Sequence, residues 1–188
     1  MYVNTAYNSD MNENDLRVRR SRRLLQEAFI ELANNQSYAD ITIRRITQQA
    51  QVGYKTFFRH YESKEALLQA IVDSFVEEFE QSKLTHDQPQ AVEKNTLAAF
   101  QLAQANSRLF FTIFNSPQSA DLLKPVIEMA YRDSQQIFGA SDVPQALAAH
   151  HFTSSMISLI KWWLENGMVY SAEEMVVYVN RLLLRPIK

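Results

Sequence analysis

Cysteine is absent from the 188 residues, and glycine and proline are scarce, with three and five residues. A chain without cysteine forms neither disulfide bonds nor thiolate metal sites, which fits a reducing compartment. The low glycine and proline content, together with the lack of alternating β-branched residues, argues against a β-rich fold. We therefore expect an all-α protein, in which the 46% of apolar residues build a sizeable core.

Long apolar runs are also missing. No stretch reaches about 18 consecutive apolar residues, so a membrane-spanning helix is not expected. Residues 1–16 are rich in Asn and Asp and have neither a basic start nor an apolar centre, unlike a secretory signal. We expect a flexible tail over residues 1–16 and a cytoplasmic protein without a membrane partner.

Signatures of catalysis and of cofactor binding are missing as well. The four histidines are scattered, and the adjacent His150 and His151 cannot face one site on a helix. The chain has no Gly-x-Ser-x-Gly elbow, phosphate-binding loop or dinucleotide fingerprint. We expect no catalytic residue, no metal and no cofactor, and we predict that the protein is not an enzyme.

The net charge of −2 conceals a strong asymmetry along the chain. Residues 17–64 contain ten Lys or Arg against four Asp or Glu, whereas residues 1–16 and 65–188 are both acidic. The densest basic cluster, from Arg17 to Arg23, stands at the predicted start of the first helix, where cations oppose the helix dipole. A solvated helix face is one interpretation, and contact with nucleic-acid phosphates is the other.

The stretch from Asp40 to Leu68 predicts two short helices joined by a tight turn and followed by a third helix. Thr42 can cap the first of these helices through its hydroxyl. Ile43, Ile46 and Ala50 then recur at helical spacing, and the pattern stops for only three residues before it resumes. Such a short interruption requires a sharp turn, as in a helix-turn-helix.

The second helix of this motif has one face for a core and another for a partner. Phe57 and Tyr61 lie four residues apart and can face the core. Ser63 then offers a cap for the third helix. The remaining side chains of the second helix are directed elsewhere and suit a DNA groove and its rim: Tyr54, Lys55, Thr56, Phe58 and His60.

Residues from about Arg19 to about Ile71 resemble the TetR family of transcriptional regulators. The resemblance rests on several spaced motifs: Ile41-Thr42-Ile43-Arg44-Arg45-Ile46, then Ala50 and Val52, then Thr56-Phe57-Phe58 and Tyr61, then Ser63-Lys64-Glu65-Ala66-Leu67-Leu68. It implies a helix-turn-helix domain over residues 17–70 and a helical regulatory and dimerisation domain over residues 71–188.

Three residues depart from the family pattern. Gln51 stands where a turn glycine is usual, so a left-handed backbone there would be strained or relaxed. Gly53 occupies the place of a capping serine. Phe58 replaces a tyrosine that in relatives reaches a phosphate, and it has no hydroxyl to do so.

The resemblance implies double-stranded DNA as a partner. Lys55 is the candidate for a base contact, preferably with guanine, while Arg44, His60 and Lys64 would position the duplex. The full set of predicted DNA-binding residues is Arg19, Arg20, Thr42, Arg44, Gly53, Tyr54, Lys55, Thr56, Phe58, His60 and Lys64.

Apolar periodicity and breakers predict about nine helices. Pro125 is expected to end a turn at residues 120–124 and to start a new helix that stops at Gly139. Ser171 and Glu174 have capping-box spacing before the final helix. The other predicted bounds are 17–34 for the first helix, a fourth helix that ends near residue 82, a fifth beyond Pro89, a sixth at 107–115 and a long helix at 144–166.

The two last helices carry a broad apolar surface, which is typical of the four-helix dimer interface in the resembled family. Residues 161–168 and 170–175 also resemble the C-terminal domain of a subgroup that contains kinase-operon coactivators. Intramolecular core packing is the competing interpretation. The predicted homodimer residues are Phe152, Leu159, Trp163, Met175, Val179 and Leu182.

A pocket for a small-molecule effector of unknown identity is a further expectation, with ordinary core packing as its alternative. Its candidate lining residues are Phe100, Phe110, Phe114, Met129, His151 and Met156. The leading hypothesis is a homodimeric repressor that an effector releases from a palindromic operator. A coactivator that works mainly through a protein partner remains the second hypothesis.

Overall fold

The computed structural model describes residues 5–85, 87–88, 90–138 and 143–184, with side chains from Leu16 onward. This part of the chain is helical, which confirms the all-α prediction, and none of its helices is long and apolar enough to cross a bilayer. Its nine α-helices are α1 (Thr5–Asn35), α2 (Ile43–Gln49), α3 (Tyr54–His60), α4 (Lys64–Ser82), α5 (Ala91–Ala105), α6 (Ser107–Asn115), α7 (Ser119–Ile137), α8 (Gln145–Glu165) and α9 (Ala172–Val179).

The chain divides into two compact units, and the boundary falls inside α4, between Ile71 and Val72. In the first unit, which we call the head, α1 packs against α2 and α3. Apolar residues at helical spacing on α1 supply one side of its core, and the later helices close it. The core of the head contains Leu25, Ala28, Phe29, Ala33, Ile41, Ile46, Ala50, Phe57, Tyr61, Leu67, Leu68 and Ile71.

Helix α1 starts earlier than the sequence indicated. It begins at Thr5 instead of Arg17, so its backbone is helical through most of the segment expected to be a flexible tail. Residues 5–16 contain neither glycine nor proline, and nothing in them breaks a helix that already exists further along. Residues 1–4 of the expected tail lie outside the described part.

The second unit, which we call the regulatory unit, pairs α7 with α8 and α5 with α9. Trp163 is fully buried, meets Phe100 edge-to-face at 5.2 Å between ring centroids, and donates its indole N–H to the Tyr170 carbonyl at 2.8 Å. Met175 and Val179 of α9 pack into the same core. The two halves of the unit are thus joined through one aromatic cluster.

A charged cluster ties the segment after α4 to α7. The Lys83 ammonium lies 2.6 and 2.7 Å from the two carboxylate oxygens of Asp133 and 2.9 Å from Glu80. Burial lowers the pKa of Lys83, but the hydrogen bonds and charges of Asp133 and Glu80 outweigh it, so the pKa is raised overall. The lysine therefore stays charged inside the unit.

Pro125 does not start a helix. It lies inside α7, which begins at Ser119 and runs without a turn at residues 120–124. Pro125 lacks an N–H for the carbonyl of Asp121, but Asp121 is exposed and its carbonyl lies in the first turn of the helix. Burial of Leu122 on the same turn holds the segment helical. The predicted stop, Gly139, lies outside the described residues.

Other predicted helix ends are confirmed. Ser171 and Glu174 form a reciprocal capping box at the start of α9, with bonds of 3.1 and 2.8 Å. Gly167, with φ of 72°, follows α8, and α6 has the predicted bounds. A π-helical turn (Asn180–Leu184) continues α9.

Candidate nucleic-acid interface and ligand cavities

The turn between α2 and α3 keeps the left-handed geometry that the family pattern implies, although glutamine and not glycine occupies position 51. Thr42 caps α2 as predicted, since its hydroxyl accepts the N–H of Arg45 at 3.2 Å. At the other end of α2, Gln51 adopts φ of 53°. The N–H of Val52 then reaches the Thr47 carbonyl at 3.0 Å. Gln51 therefore retains the left-handed backbone conformation in spite of its steric strain.

Helix α3 starts at Gly53 without a side-chain cap. The N–H of Thr56 bonds to the Gly53 carbonyl at 2.8 Å, so the first turn closes through the backbone alone. A Cβ atom at position 53 would meet only the Thr56 hydroxyl, at 3.4 Å, which is ordinary contact. A serine would fit there and would add a side-chain cap that Gly53 cannot provide.

The outward face of α3 is aromatic and basic. Phe57 and Tyr61 point into the core, as their spacing predicts. Tyr54 and Phe58 are 54% and 49% exposed, and their rings meet edge-to-face at 5.4 Å. Lys55 is exposed beside them. Arg59, one turn further along, is exposed as well, so this face offers two cations and two half-exposed rings to a partner.

Lys64 is engaged by the head itself. Its ammonium donates to the carbonyls of Tyr38 and Ile41 at 2.9 and 3.0 Å and lies 3.8 Å from the Tyr38 ring centroid. Burial lowers the pKa of Lys64, against the charge of Glu65. Two of its three N–H groups are thus used within the fold, and one is left for the predicted phosphate contact. Sequence reasoning missed this role.

The hydroxyl of Tyr38 reinforces that link. It donates to the Glu65 carboxylate at 3.0 Å, which joins the 3-10 turn (Tyr38–Asp40) to the first turn of α4. Burial, with the bond and the charge of Glu65, raises the pKa of Tyr38, so it remains a donor at neutral pH. Local sequence patterns gave no signal for a contact between residues 27 positions apart.

His60 joins α3 to α1. Its Nε2 lies 2.7 Å from the hydroxyl of Ser21, a residue that the sequence did not single out. Burial lowers the pKa of His60, and the cations Arg22 and Arg59 lower it further. The lowered pKa favours the neutral imidazole, whose Nε2 is already engaged by Ser21.

The arginines of α1 stand on the surface of the head. Arg19 and Arg20 are exposed, as is Arg44 on α2. Arg23 makes an exposed ion pair with Glu27 at 3.4 Å, and the Arg22 guanidinium lies 5.9 Å from the Tyr61 ring centroid. The predicted basic residues are thus accessible to phosphates.

Two adjoining cavities lie among the described residues of the regulatory unit. The first, of about 140 Å³, lies among α5, α7 and α8, with Phe79 of α4 in its wall. The second, of about 100 Å³, is lined by α4, α5, α6, α7 and α8. Both share part of one wall, formed by Phe79, Ala99, Val126, Met129 and Ile160.

Only some of the predicted pocket residues line these cavities. Met129 lies in both walls, Met156 in the first and Phe110 in the second. The other three predicted residues lie outside both walls. Phe100 fills the core against Trp163, Phe114 packs on Phe110, and His151 is exposed: these three differ from the expectation because their helix faces turn away from the cavities.

The predicted dimer residues also separate into two groups. Phe152, Trp163, Met175 and Val179 are buried in the core of their own regulatory unit, whereas Leu182 is 51% exposed. Met175 also lines an exposed groove, whereas Phe152, Trp163 and Val179 lie in the core and depart from the expected interface. The groove lies on α8 and α9 and is formed by Ser158, Leu159, Trp162, Tyr170, Met175, Tyr178 and Leu182.

Among the residues that the structure describes, no group of three or more His, Asp or Glu side chains could hold a metal ion.

Two family profiles match the chain. The one described as "Bacterial regulatory proteins, tetR family" matches residues 25–71, and the one described as "Transcriptional regulator C-terminal region" matches residues 90–185. A curated relative, the uncharacterized HTH-type transcriptional regulator YxbF of Bacillus subtilis (strain 168), is 28% identical over 167 residues. The match covers 85% of this chain, which spans only 43% of the length of that relative.

Solved structures share the fold. A TetR transcriptional regulator from Streptococcus agalactiae 2603V is 23% identical, with a TM-score of 0.65 over 90% of this chain and 96% of that one. The dihydroxyacetone kinase operon activator DhaS is 17% identical, with a TM-score of 0.66 over 87% and 94%. With both halves of the sequence matched and the helical architecture shared, the chain belongs to the TetR family of transcriptional regulators.

Proposed function

We propose that the protein is a homodimeric repressor that binds a near-palindromic DNA operator and is released by a small-molecule effector. The observation that carries the DNA-binding part is the outward face of α3, where Tyr54, Lys55 and Phe58 are exposed beside accessible arginines of α1 and α2. The two α3 helices of a dimer would enter successive major grooves, roughly 34–36 Å apart.

In this proposal, Lys55 reads a base and the arginines position the duplex. A lysine that projects from a helix in the major groove can bond to guanine O6 and N7. Arg19, Arg20 and Arg44 would bind phosphates, which adds affinity without sequence preference. Thr42 and His60 would contribute neutral hydrogen bonds, and Lys64 its remaining N–H.

The test compares two exposed cations. An operator is first selected from a random duplex library with the purified protein, and affinities are then measured by fluorescence anisotropy at several salt concentrations. Lys55→Ala should flatten the base preference at one operator position, whereas Arg44→Ala should weaken all sequences and reduce the salt slope by about one. Lys124→Ala, an exposed lysine of α7, is the control. Equal losses on operator and random DNA would refute the assigned roles.

The groove on α8 and α9 is the proposed dimer surface. Trp162 and Leu182 are 45% and 51% exposed, and Tyr170 meets Tyr178 edge-to-face at 5.2 Å. Leu182→Asp should produce a monomer in light scattering because a charge would be buried in an apolar interface. Leu147→Asp, an equally exposed position at the other end of α8, should leave the assembly intact.

The effector would act through α4. Residues Val72, Phe75 and Val76 of this helix line the second cavity, and the same helix continues as Lys64–Ile71 into the head. A ligand can shift the equilibrium only if it binds the DNA-free state more tightly than the DNA-bound state. An effector should therefore weaken operator affinity and, reciprocally, bind less tightly in the presence of operator.

A coactivator that works through a protein partner is the second candidate. Three observations favour it: α3 has no side-chain cap, Phe58 lacks a phosphate-binding hydroxyl, and Lys64 is engaged within the head. The DhaS structure, which is named as an activator, has the same fold. Failure of the library selection to enrich any palindrome would favour this candidate over the repressor.

A further inference from the structure

The two cavities of the regulatory unit lie side by side. Their common wall contains Phe79, Ala99, Val126, Met129 and Ile160. Met129 is the most adaptable of these, because its side chain is unbranched and flexible. Because Met129 lines both cavities, a ligand that displaces its side chain would extend from one cavity into the other. An elongated ligand suits such a shape better than a fused ring system.

The walls carry no unused charge. Every described residue that lines the second cavity is hydrocarbon or thioether in its side chain. In the first cavity, both carboxylate oxygens of Asp133 are held by Lys83, and the Asn95 amide bonds to the N–H and the carbonyl of Leu84 at 2.8 Å each. A charged ligand would lose its hydration without gaining a counter-ion, so the walls select an uncharged molecule.

The polar groups that remain on the wall of the first cavity are two threonine hydroxyls, those of Thr96 and Thr153. The Ser134 hydroxyl donates to the Ala130 carbonyl at 2.6 Å and lies 3.1 Å from the Thr153 hydroxyl. Since the Ser134 hydrogen is used, Thr153 donates to Ser134, and the Thr153 oxygen keeps a lone pair on the wall of the first cavity. That lone pair accepts a hydrogen bond, so the matching ligand group is a hydroxyl donor.

The volumes set the ligand size. An apolar cavity of about 150 Å³ in another protein holds one benzene molecule. By that measure, the first cavity, of about 140 Å³, takes roughly six carbon atoms, and the second, of about 100 Å³, takes roughly four. We infer that the paired cavities bind an uncharged aliphatic alcohol of medium chain length, with its hydroxyl on Thr153 and its chain extending past Met129. The regulatory consequence rests on the proposed effector function, but the binding itself does not.

The experiment titrates the full-length protein with 1-nonanol by isothermal titration calorimetry in the absence of DNA. Octanoate, of similar length but charged, is the matched ligand control and should bind at least tenfold more weakly. Comparable or tighter binding of octanoate, or no binding of 1-nonanol, would overturn the inference.

Variants then locate the site. Ala99→Phe should abolish 1-nonanol binding because the ring would occupy the wall shared by the cavities, whereas Ala98→Phe, at the neighbouring exposed position of α5, should leave binding unchanged. Thr153→Val keeps the shape and removes the hydroxyl, so it should weaken binding about tenfold even if Ala99→Phe fails to fold. Equal binding by Thr153→Val and the wild type would overturn the orientation.

Operator affinity is measured separately with and without 1-nonanol. If the alcohol binds but the operator affinity is unchanged, the effector part of the proposed function fails while the ligand class stands. If the protein binds no DNA at all, the repressor proposal fails, and the calorimetry still decides the ligand class.

Discussion

The adjacent aromatic residues Phe57 and Phe58 of the head differ from Trp162 and Trp163 of the regulatory unit in how well the sequence predicts which ring is buried. In the head, Phe57 is fully buried and Phe58 is 49% exposed; in the regulatory unit, Trp163 is fully buried and Trp162 is 45% exposed. On α3, the four-residue spacing of Phe57 and Tyr61 identifies Phe57 as the core residue. On α8, apolar residues surround the axis, and the sequence alone suggested Trp163 for the dimer interface.

Adjacency and residue type therefore do not decide which of two neighbouring aromatic side chains is buried. A helix that packs against the rest of the fold on one side has a narrow apolar stripe. A helix that packs against other helices on several sides has apolar residues around its whole circumference. Helix α8 is of the second kind, since it contacts α5, α6 and α7. Which face of α8 remains exposed therefore depends on which helices pack against it.

The largest expected effect comes from truncating the buried member of each pair. Phe57→Ala and Trp163→Ala should each reduce the free energy of unfolding by about 3–5 kcal/mol, because each leaves a cavity in a packed core. Chemical denaturation followed by circular dichroism measures the loss. Phe58→Ala and Trp162→Ala, at exposed neighbours, should cost less than about 1 kcal/mol. Similar losses for the two members of either pair would contradict the assignment of one ring to the core and the other to the surface.

Lys64 and Lys55 test a second contrast within the head. Lys64→Ala should lower the free energy of unfolding by about 2 kcal/mol, since the carbonyls of Tyr38 and Ile41 lose a charged donor. Lys55→Ala should leave stability unchanged and alter DNA preference instead, because the side chain is exposed. If Lys64→Ala is as stable as Lys55→Ala, Lys64 has no structural role in the head. The predicted phosphate contact would then be the favoured role of Lys64.

A smaller gain is expected at the turn. Gln51→Gly should stabilise the protein by about 1 kcal/mol, because glycine adopts φ near 53° without the steric cost that glutamine carries. Thermal unfolding measures the gain, and Gln48→Gly, on the exposed side of α2, serves as the opposite control that should destabilise. A destabilised Gln51→Gly variant would show that the turn is not strained.

The smallest effect concerns pH. The folded-state pKa of His60 is lowered by burial and by Arg22 and Arg59, so the unfolded chain binds more protons at this residue. The contribution of His60 to the free energy of unfolding is therefore complete above the ordinary histidine pKa. It is lost as the pH falls through the lowered pKa of the folded state. Unfolding between pH 7.5 and 5 should show a shallower pH dependence in His60→Gln than in the wild type. An unchanged profile would contradict this assignment.

Local signals in the sequence were sufficient for much of the head. The Thr42 cap, the turn before α3 and the Ser63 hydroxyl, which accepts the Ala66 N–H at 3.0 Å, are contacts within a few residues. Links between distant positions escaped prediction: Ser21 with His60, and Lys64 with Tyr38. No periodic pattern in the sequence indicates such a pair, because its two residues come into contact only after the helices have packed.

The order of its helices, the capped turn and the segregated basic charge were determined by the sequence itself, because capping and periodicity act over three or four residues. The packing of the helices decided that Pro125 lies within a helix, that Trp162 and not Trp163 faces outward, and that Ser134, Thr153 and Met129 line one largely apolar cavity. Those outcomes depend on which helix faces meet, and that is settled by burial of the whole core and not by any local stretch of chain.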